Sequence, residues 1–152
     1  MNPDLAVCII INGRTHPFRC HGYHCRYLGH GGGEKYLSRN KIQDLKCRAV
    51  ALLLGCSSGR LKDNGDFDST GTPLSYMLAG CPAALGLLWD VTDKDIDRFA
   101  QQLLSLWIDE EDAMSLSTAT TMSRRVCKFE LLTGGAAVVY GIPAYAKKST
   151  EK

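Results

Sequence analysis

Apolar residues along this 152-residue chain follow two alternating patterns. Short unbroken apolar runs occur at 6–11, 49–54, 83–89 and 136–140, each closed by turn-forming or polar residues. Runs of that length fit strands buried on both faces rather than one. Between them the period changes to that of a helix. Residues 38–46 read as a short helix with Ile42 and Leu45 inward. Thr72 is the expected N-cap of the next helix, with Pro73 at its first position, Leu74, Met77 and Leu78 as its apolar stripe and Gly80 as its stop. Ile96, Phe99, Leu103 and Trp107 form a clean i, i+3, i+7, i+11 stripe. A further helix is expected over 116–132, with Arg124, Arg125 and Lys128 outward, and Gly134-Gly135 breaking it. Alternating strand and helix signals predict an α/β fold built on a mainly parallel sheet.

The run at 49–54 ends on Gly55-Cys56-Ser57-Ser58-Gly59, small residues that turn tightly and leave a thiol at the strand's carboxyl end. Open α/β sheets place their ligands at that edge. A second stretch, Tyr27-Leu28-Gly29-His30-Gly31-Gly32-Gly33-Glu34-Lys35-Tyr36, sets an imidazole among glycines after another short strand. Taken singly, a strand-end Cys is more often packing and a His between glycines more often a loop residue. Taken together, two successive strands each end in one half of a Cys/His dyad, with Cys56 as nucleophile.

Composition narrows the class without naming a chemistry. The chain is 45% hydrophobic and 22% charged, ordinary for one globular domain, and its net charge of +2 gives no bulk signal for nucleic acid. No apolar run reaches the length of a membrane span, and no signal-peptide pattern opens the chain. Seven cysteines without framework spacing point to free thiols in a reducing compartment, cytosol or nucleus. His16, Cys20, His21, His24 and Cys25 lie close together, but neither Cys-x-x-Cys nor His-x₃₋₅-His pairing is clean. A basic loop outweighs a zinc module there. Residues 60–69 read as polar with an Asn64-Gly65 turn, and Cys81 as packing. Asp93 and Asp95 have the position of helix-start acids, serving caps and the helix dipole.

Four stretches together resemble the C-terminal protease domain of separase, a caspase-like cysteine endopeptidase. They are residues 27–36, 47–59, Met77-Leu78-Ala79-Gly80-Cys81-Pro82 running on to Trp89-Asp90-Val91-Thr92-Asp93-Lys94-Asp95-Ile96-Asp97-Arg98-Phe99, and Tyr140-Gly141-Ile142-Pro143. The resemblance covers about 27–146, leaving 1–26 unmatched and 147–152 as a charged tail expected to be disordered. It implies a caspase-like α/β fold, a mainly parallel sheet flanked by helices and incomplete on its N-terminal side. It implies hydrolysis after arginine in the kleisin subunit of cohesin at anaphase, restraint by securin, and a location in cytoplasm and nucleus. His30 matches the family's catalytic histidine and Cys56 its nucleophile, with no cofactor or metal needed. The backbone amides of Gly31 and Cys56 are the expected oxyanion donors. The family's acid for the substrate arginine falls in the stretch after Trp89, with Asp97 the first candidate, Asp93 the second and Asp90 the third.

Separases are very large, and their protease domains carry further strands and a long helical segment before Gly-His-Gly. The resemblance therefore also admits an inactive truncated form that binds securin-like or cohesin partners. A different caspase-like peptidase with another pocket is a third reading.

Overall fold

A computed structural model describes the backbone of residues 7–11, 19–21, 24–28 and 109, and both backbone and side chains of 38–45, 47–108 and 114–146. The strands are β1 (Val7–Ile11), β2 (Arg19–His21), β3 (His24–Leu28), β4 (Val50–Leu54), β5 (Lys62–Asn64), β6 (Phe67–Thr70), β7 (Ala83–Leu87) and β8 (Ala137–Gly141). The helices are α1 (Arg39–Gln43), α2 (Thr72–Leu78), α3 (Asp93–Leu104) and α4 (Leu116–Ser123). Six strands form one sheet in the order β2-β3-β1-β4-β7-β8. The inner four run parallel, and only the edge strands β2 and β8 are antiparallel to their neighbours. The mainly parallel α/β expectation therefore holds.

Alternate residues of the central strands serve two separate cores. Val50, Leu52 and Leu54 of β4, with Ala83, Leu85 and Leu87 of β7, pack against Ile96, Phe99 and Leu103 of α3 and Leu116 and Ala119 of α4. Ala51, Leu53 and Ala84 point the other way and meet Ile42 of α1 and Tyr76 of α2. Every residue of β4 is buried, which is why its sequence shows no polar alternation. Burial of each such leucine is worth about 1.5–3 kcal/mol. The predicted α3 stripe is all inward, and the helix closes in a wider π turn, Ser105–Asp109. That turn leaves Trp107 buried, with Nε1 donating to the Ala144 carbonyl at 3.2 Å.

Several local expectations are corrected. The N-cap of α2 is Gly71, not Thr72, because the Ser75 amide bonds to the Gly71 carbonyl at 3.2 Å and Thr72 is already helical and buried. Residues 60–69 are more than a turn: Asn64-Gly65 joins β5 and β6 in a hairpin. Within 14–25, taken as a loop, β2 and β3 pair antiparallel, Cys20 opposite Cys25 and His21 opposite His24. The helix expected over 116–132 stops at Ser123, and a 3₁₀ turn, Arg124–Val126, follows. The chain leaves the helical path because its groups have partners elsewhere. Lys128 N–H donates to Asp95 at 3.1 Å, and Arg124 Nη2 reaches the Ala137 carbonyl at 2.7 Å, so Arg124 does not simply face outward.

Candidate active site

Cys56 continues the face of β4 that carries Val50, Leu52 and Leu54, so it leaves the strand toward α3. Cys56 is 8% exposed, and its thiol donates to the Val91 carbonyl at 3.3 Å, just before α3 begins. The turn that follows is fastened at almost every residue. Ser57 takes a positive φ of 56°, its amide donates to the Trp89 carbonyl at 3.4 Å, and its hydroxyl donates to Asp90 at 2.6 Å. Ser58 Oγ donates to the Leu53 carbonyl at 2.5 Å and accepts from the Leu87 amide at 3.2 Å. Gly59 donates to the Leu87 carbonyl at 2.9 Å, and the Tyr140 hydroxyl donates to the Gly59 carbonyl at 2.7 Å. Gly59 lies so close to Gly86 that a Cβ on either would meet the other's backbone at 2.5–2.7 Å. The run Cys-Ser-Ser-Gly is thus explained locally: the Ser58 hydroxyl bridges the backbones of β4 and β7, the Ser57 hydroxyl ties the turn to Asp90, and a glycine admits β7.

His30 and Gly31 lie outside the described residues. What is described is the strand that leads to them. β3 ends at Leu28, where the sequence places its end, two residues before His30. β3 and β4 are not neighbours, as successive strands would suggest; β1 runs between them. Leu28 and Leu54 are both register partners of Ile11, so the two parallel strands finish level with each other. With strands spaced about 4.8 Å apart, the two tips are separated by about 10 Å.

The three candidate acids differ in their settings. Asp90 is beside the Cys56 turn and is engaged by Ser57. Asp93 stands exposed in the first turn of α3, and Asp97 is exposed one turn later.

Comparison with known proteins adds to this geometry. The family model described as "Separin, protease domain" matches residues 24–96. The Separin of Schizosaccharomyces pombe is 50% identical over 125 residues, 78% of this chain and 7% of the relative. The Separin of Saccharomyces cerevisiae is 44% identical over 124 residues, 77% of this chain and 8% of the relative. This chain belongs to the separase family.

The mouse Separin is 43% identical over 117 residues, again 77% of this chain and 6% of the relative. A crystal structure of the Saccharomyces cerevisiae separase–securin complex superposes on 80% of this chain and 8% of its own, with a TM-score of 0.72 and 43% identity. The fold is accordingly that of the caspase-like separase protease domain. The chain spans 6–8% of the length of the separases it matches. The family match contains both strand tips, Cys56, Asp90 and Asp93, and stops one residue before Asp97.

Asp95, which the sequence presents as a helix-start acid, has the most elaborate setting among the described acids of this separase-family domain. Asp95 is 4% exposed. It accepts from the Lys128 amide at 3.1 Å and from Thr92 Oγ1 at 3.2 Å, and faces Arg98 at 3.8 Å. The Lys128 hydrogen bond, above the smaller effects of Thr92, Thr133 and Arg98, holds its carboxyl below the usual aspartate range, while burial opposes this. Its place in a run of four aspartates hid it; the helical period, which puts Asp95 beside Ile96 and Phe99 on the inner side, was the signal available. A cavity of about 510 Å³ also opens beside the Cys56 turn, lined by Ser57, Arg39, Arg60, Leu61, Lys62 and Asp63.

Proposed function

We propose that this chain supplies the catalytic segment of a separase-type cysteine endopeptidase that cleaves after arginine in the kleisin subunit of cohesin, releasing sister chromatids at anaphase. The observation that carries this reading is the level ending of β3 and β4 against Ile11. An imidazole follows two residues after one tip and a thiol two residues after the other. In this mechanism His30 withdraws the Cys56 proton, the thiolate attacks the carbonyl after arginine, and His30 returns a proton to the leaving amine. Backbone amides of Gly31 and Cys56 receive the developing oxyanion, each donor being worth about 10²–10³ in rate. Water then hydrolyses the thioester. Asp97, with Asp93 beside it as second candidate, supplies the carboxylate for paired hydrogen bonds to the guanidinium. Asp90, whose carboxylate accepts from Ser57, is the third candidate. Two solved structures similar to this chain are Saccharomyces cerevisiae separase–securin complexes, which supports securin as a partner of this chain as well, in the role of inhibitor. The place of action is the nucleus and cytoplasm.

A second reading rests on the Cys56 thiol itself, which is buried and donates to Val91 instead of lying open in a cleft. In that reading the chain is a non-catalytic separase-like module that binds securin-like or cohesin partners. An acyloxymethyl ketone ending in arginine separates the two, since it alkylates only an activated thiol. The protease reading expects labelling that is lost in Cys56→Ala and His30→Ala but kept in Cys81→Ala. A folded chain that takes no label supports the binding module.

A further inference from the structure

Two other cysteines meet at the edge of the sheet opposite Cys56. Cys47 precedes β4, Cys81 precedes β7, and these strands are hydrogen-bonded neighbours, with Ala51 opposite Ala84. Both cysteines belong to the core on the α1–α2 side, Cys81 4% exposed and Cys47 only partly covered. The approach is built by the end of α2. Gly80 takes φ +107°, its amide bonds to Met77 and the Cys81 amide to Tyr76, the paired bonds of a left-handed helix stop. A Cβ on Gly80 would stand 3.0 Å from the Cys47 carbonyl, so the glycine brings the two segments together. The Cys81 thiol then hydrogen-bonds to Cys47 sulfur, and the Ala49 amide points to the same atom.

We propose that Cys47 and Cys81 form an oxidation site, a dithiol that hydrogen peroxide closes to a disulfide across the amino ends of β4 and β7. The Cys81 hydrogen bond, opposed by burial and helped by the Ala49 amide, holds the Cys47 thiol below the usual cysteine range and so favours its thiolate. Reactivity follows thiolate character and access, and Cys47 has both. Its sulfur attacks one peroxide oxygen and the O–O bond breaks, giving a sulfenic acid and hydroxide. The Cys81 sulfur then attacks the Cys47 sulfur; its proton and the departing hydroxyl leave as water. Peroxide is reduced by two electrons, and the two thiols are oxidised to one disulfide. The two other cysteines whose side chains are described lack this arrangement: Cys127 is pushed up by burial, and Cys56 donates to a carbonyl. The link would enclose β4, the Cys56 turn, the β5–β6 hairpin and α2, restricting the unfolded chain and raising the melting temperature.

The test is independent of any peptidase activity. The purified 152-residue chain is treated with hydrogen peroxide, alkylated and peptide-mapped, with melting followed before and after dithiothreitol. The expected result is a cross-linked pair of peptides holding Cys47 and Cys81, with Cys127 still alkylated. Melting should rise by several degrees and return on reduction. In Cys81→Ser the link is lost and Cys47 proceeds to sulfinic acid; in Cys47→Ser neither product forms. Peroxide that leaves both residues alkylatable, or that drives wild-type Cys47 to sulfinic acid as fast as in Cys81→Ser, overturns the proposal.

Discussion

Ser57 donates its hydroxyl to the Asp90 carboxylate at 2.6 Å, tying the residue after Cys56 to the segment that leads into α3. Ser57 holds a positive φ of 56°, a left-handed conformation that costs a non-glycine residue roughly 1–2 kcal/mol. The hydrogen bond offsets that strain. Ser57→Ala keeps the strain and loses the bond, and should unfold about 1 kcal/mol more easily. Ser57→Gly loses both and should stay within about 0.5 kcal/mol of wild type. Urea denaturation decides this; equal losses in the two variants would show that backbone strain contributes nothing there.

Gly59 and Gly86 set the depth at which the Cys56 turn sits on β7. A Cβ on Gly86 would stand 2.5 Å from Gly59 Cα and 2.7 Å from Gly59 N, atoms of backbone that cannot swing aside. Gly86→Ala should therefore cost about 2 kcal/mol or more, the upper part of the overpacking range. Lifting the turn also breaks the Gly59–Leu87 hydrogen bond, so Cys56 should alkylate faster with iodoacetamide. Gly135→Ala is the control, since nothing lies within 4 Å of a Cβ there. If the two alanine variants are equally stable, the close approach is not what holds the turn.

The same turn shows what the sequence could and could not reveal. Strands buried on both faces were legible because every residue of β4 and β7 is apolar or small. The α3 stripe was legible because its period is unbroken. The end of α4 was not, since residues past Ser123 keep helix-compatible composition and only distant partners, Asp95 and the Ala137 carbonyl, draw the chain away. The β5–β6 hairpin was hidden because β6 is exposed at every residue and carries no hydrophobic alternation. At the candidate site, the position of Cys56 just past the end of β4 was legible from the apolar run before it. Its Val91 partner, the Ser57–Asp90 bond and the Lys128 amide on Asp95 are tertiary relations, spaced 33 to 35 residues apart, that no local pattern encodes.

Tyr140 reaches from β8 across β7 to the Gly59 carbonyl, joining the edge of the sheet to the Cys56 turn. Tyr140→Phe removes that donor while keeping the ring. Stability should fall by about 1 kcal/mol, the usual worth of one such bond. The loss should be non-additive with Gly86→Ala, because a turn already lifted from β7 no longer offers the Gly59 carbonyl. A double-mutant cycle in urea measures this, and strict additivity would mean that the Tyr140 hydroxyl contributes independently of how the turn is seated on β7.

Asp95 ties the start of α3 to the segment after α4, and its ionisation should set part of the chain's acid stability. Its carboxyl is held below the usual aspartate range, first by the Lys128 amide. A carboxylate whose folded pKa is depressed contributes stability that is present above its unfolded value, near 3.9, and is lost as pH falls through the folded value. Asp95→Ala leaves the Lys128 amide unpaired and should cost about 1–3 kcal/mol at pH 7. The gap between wild type and Asp95→Ala should stay constant from pH 7 to 5 and narrow below about pH 4. Arg98→Ala should change little, because that partner is 3.8 Å away and mostly exposed. Urea midpoints at pH 7, 5 and 3 test the argument. A gap that persists undiminished at pH 3 would assign the effect of the substitution to packing beside Ile96 and Phe99, and not to the charge on Asp95.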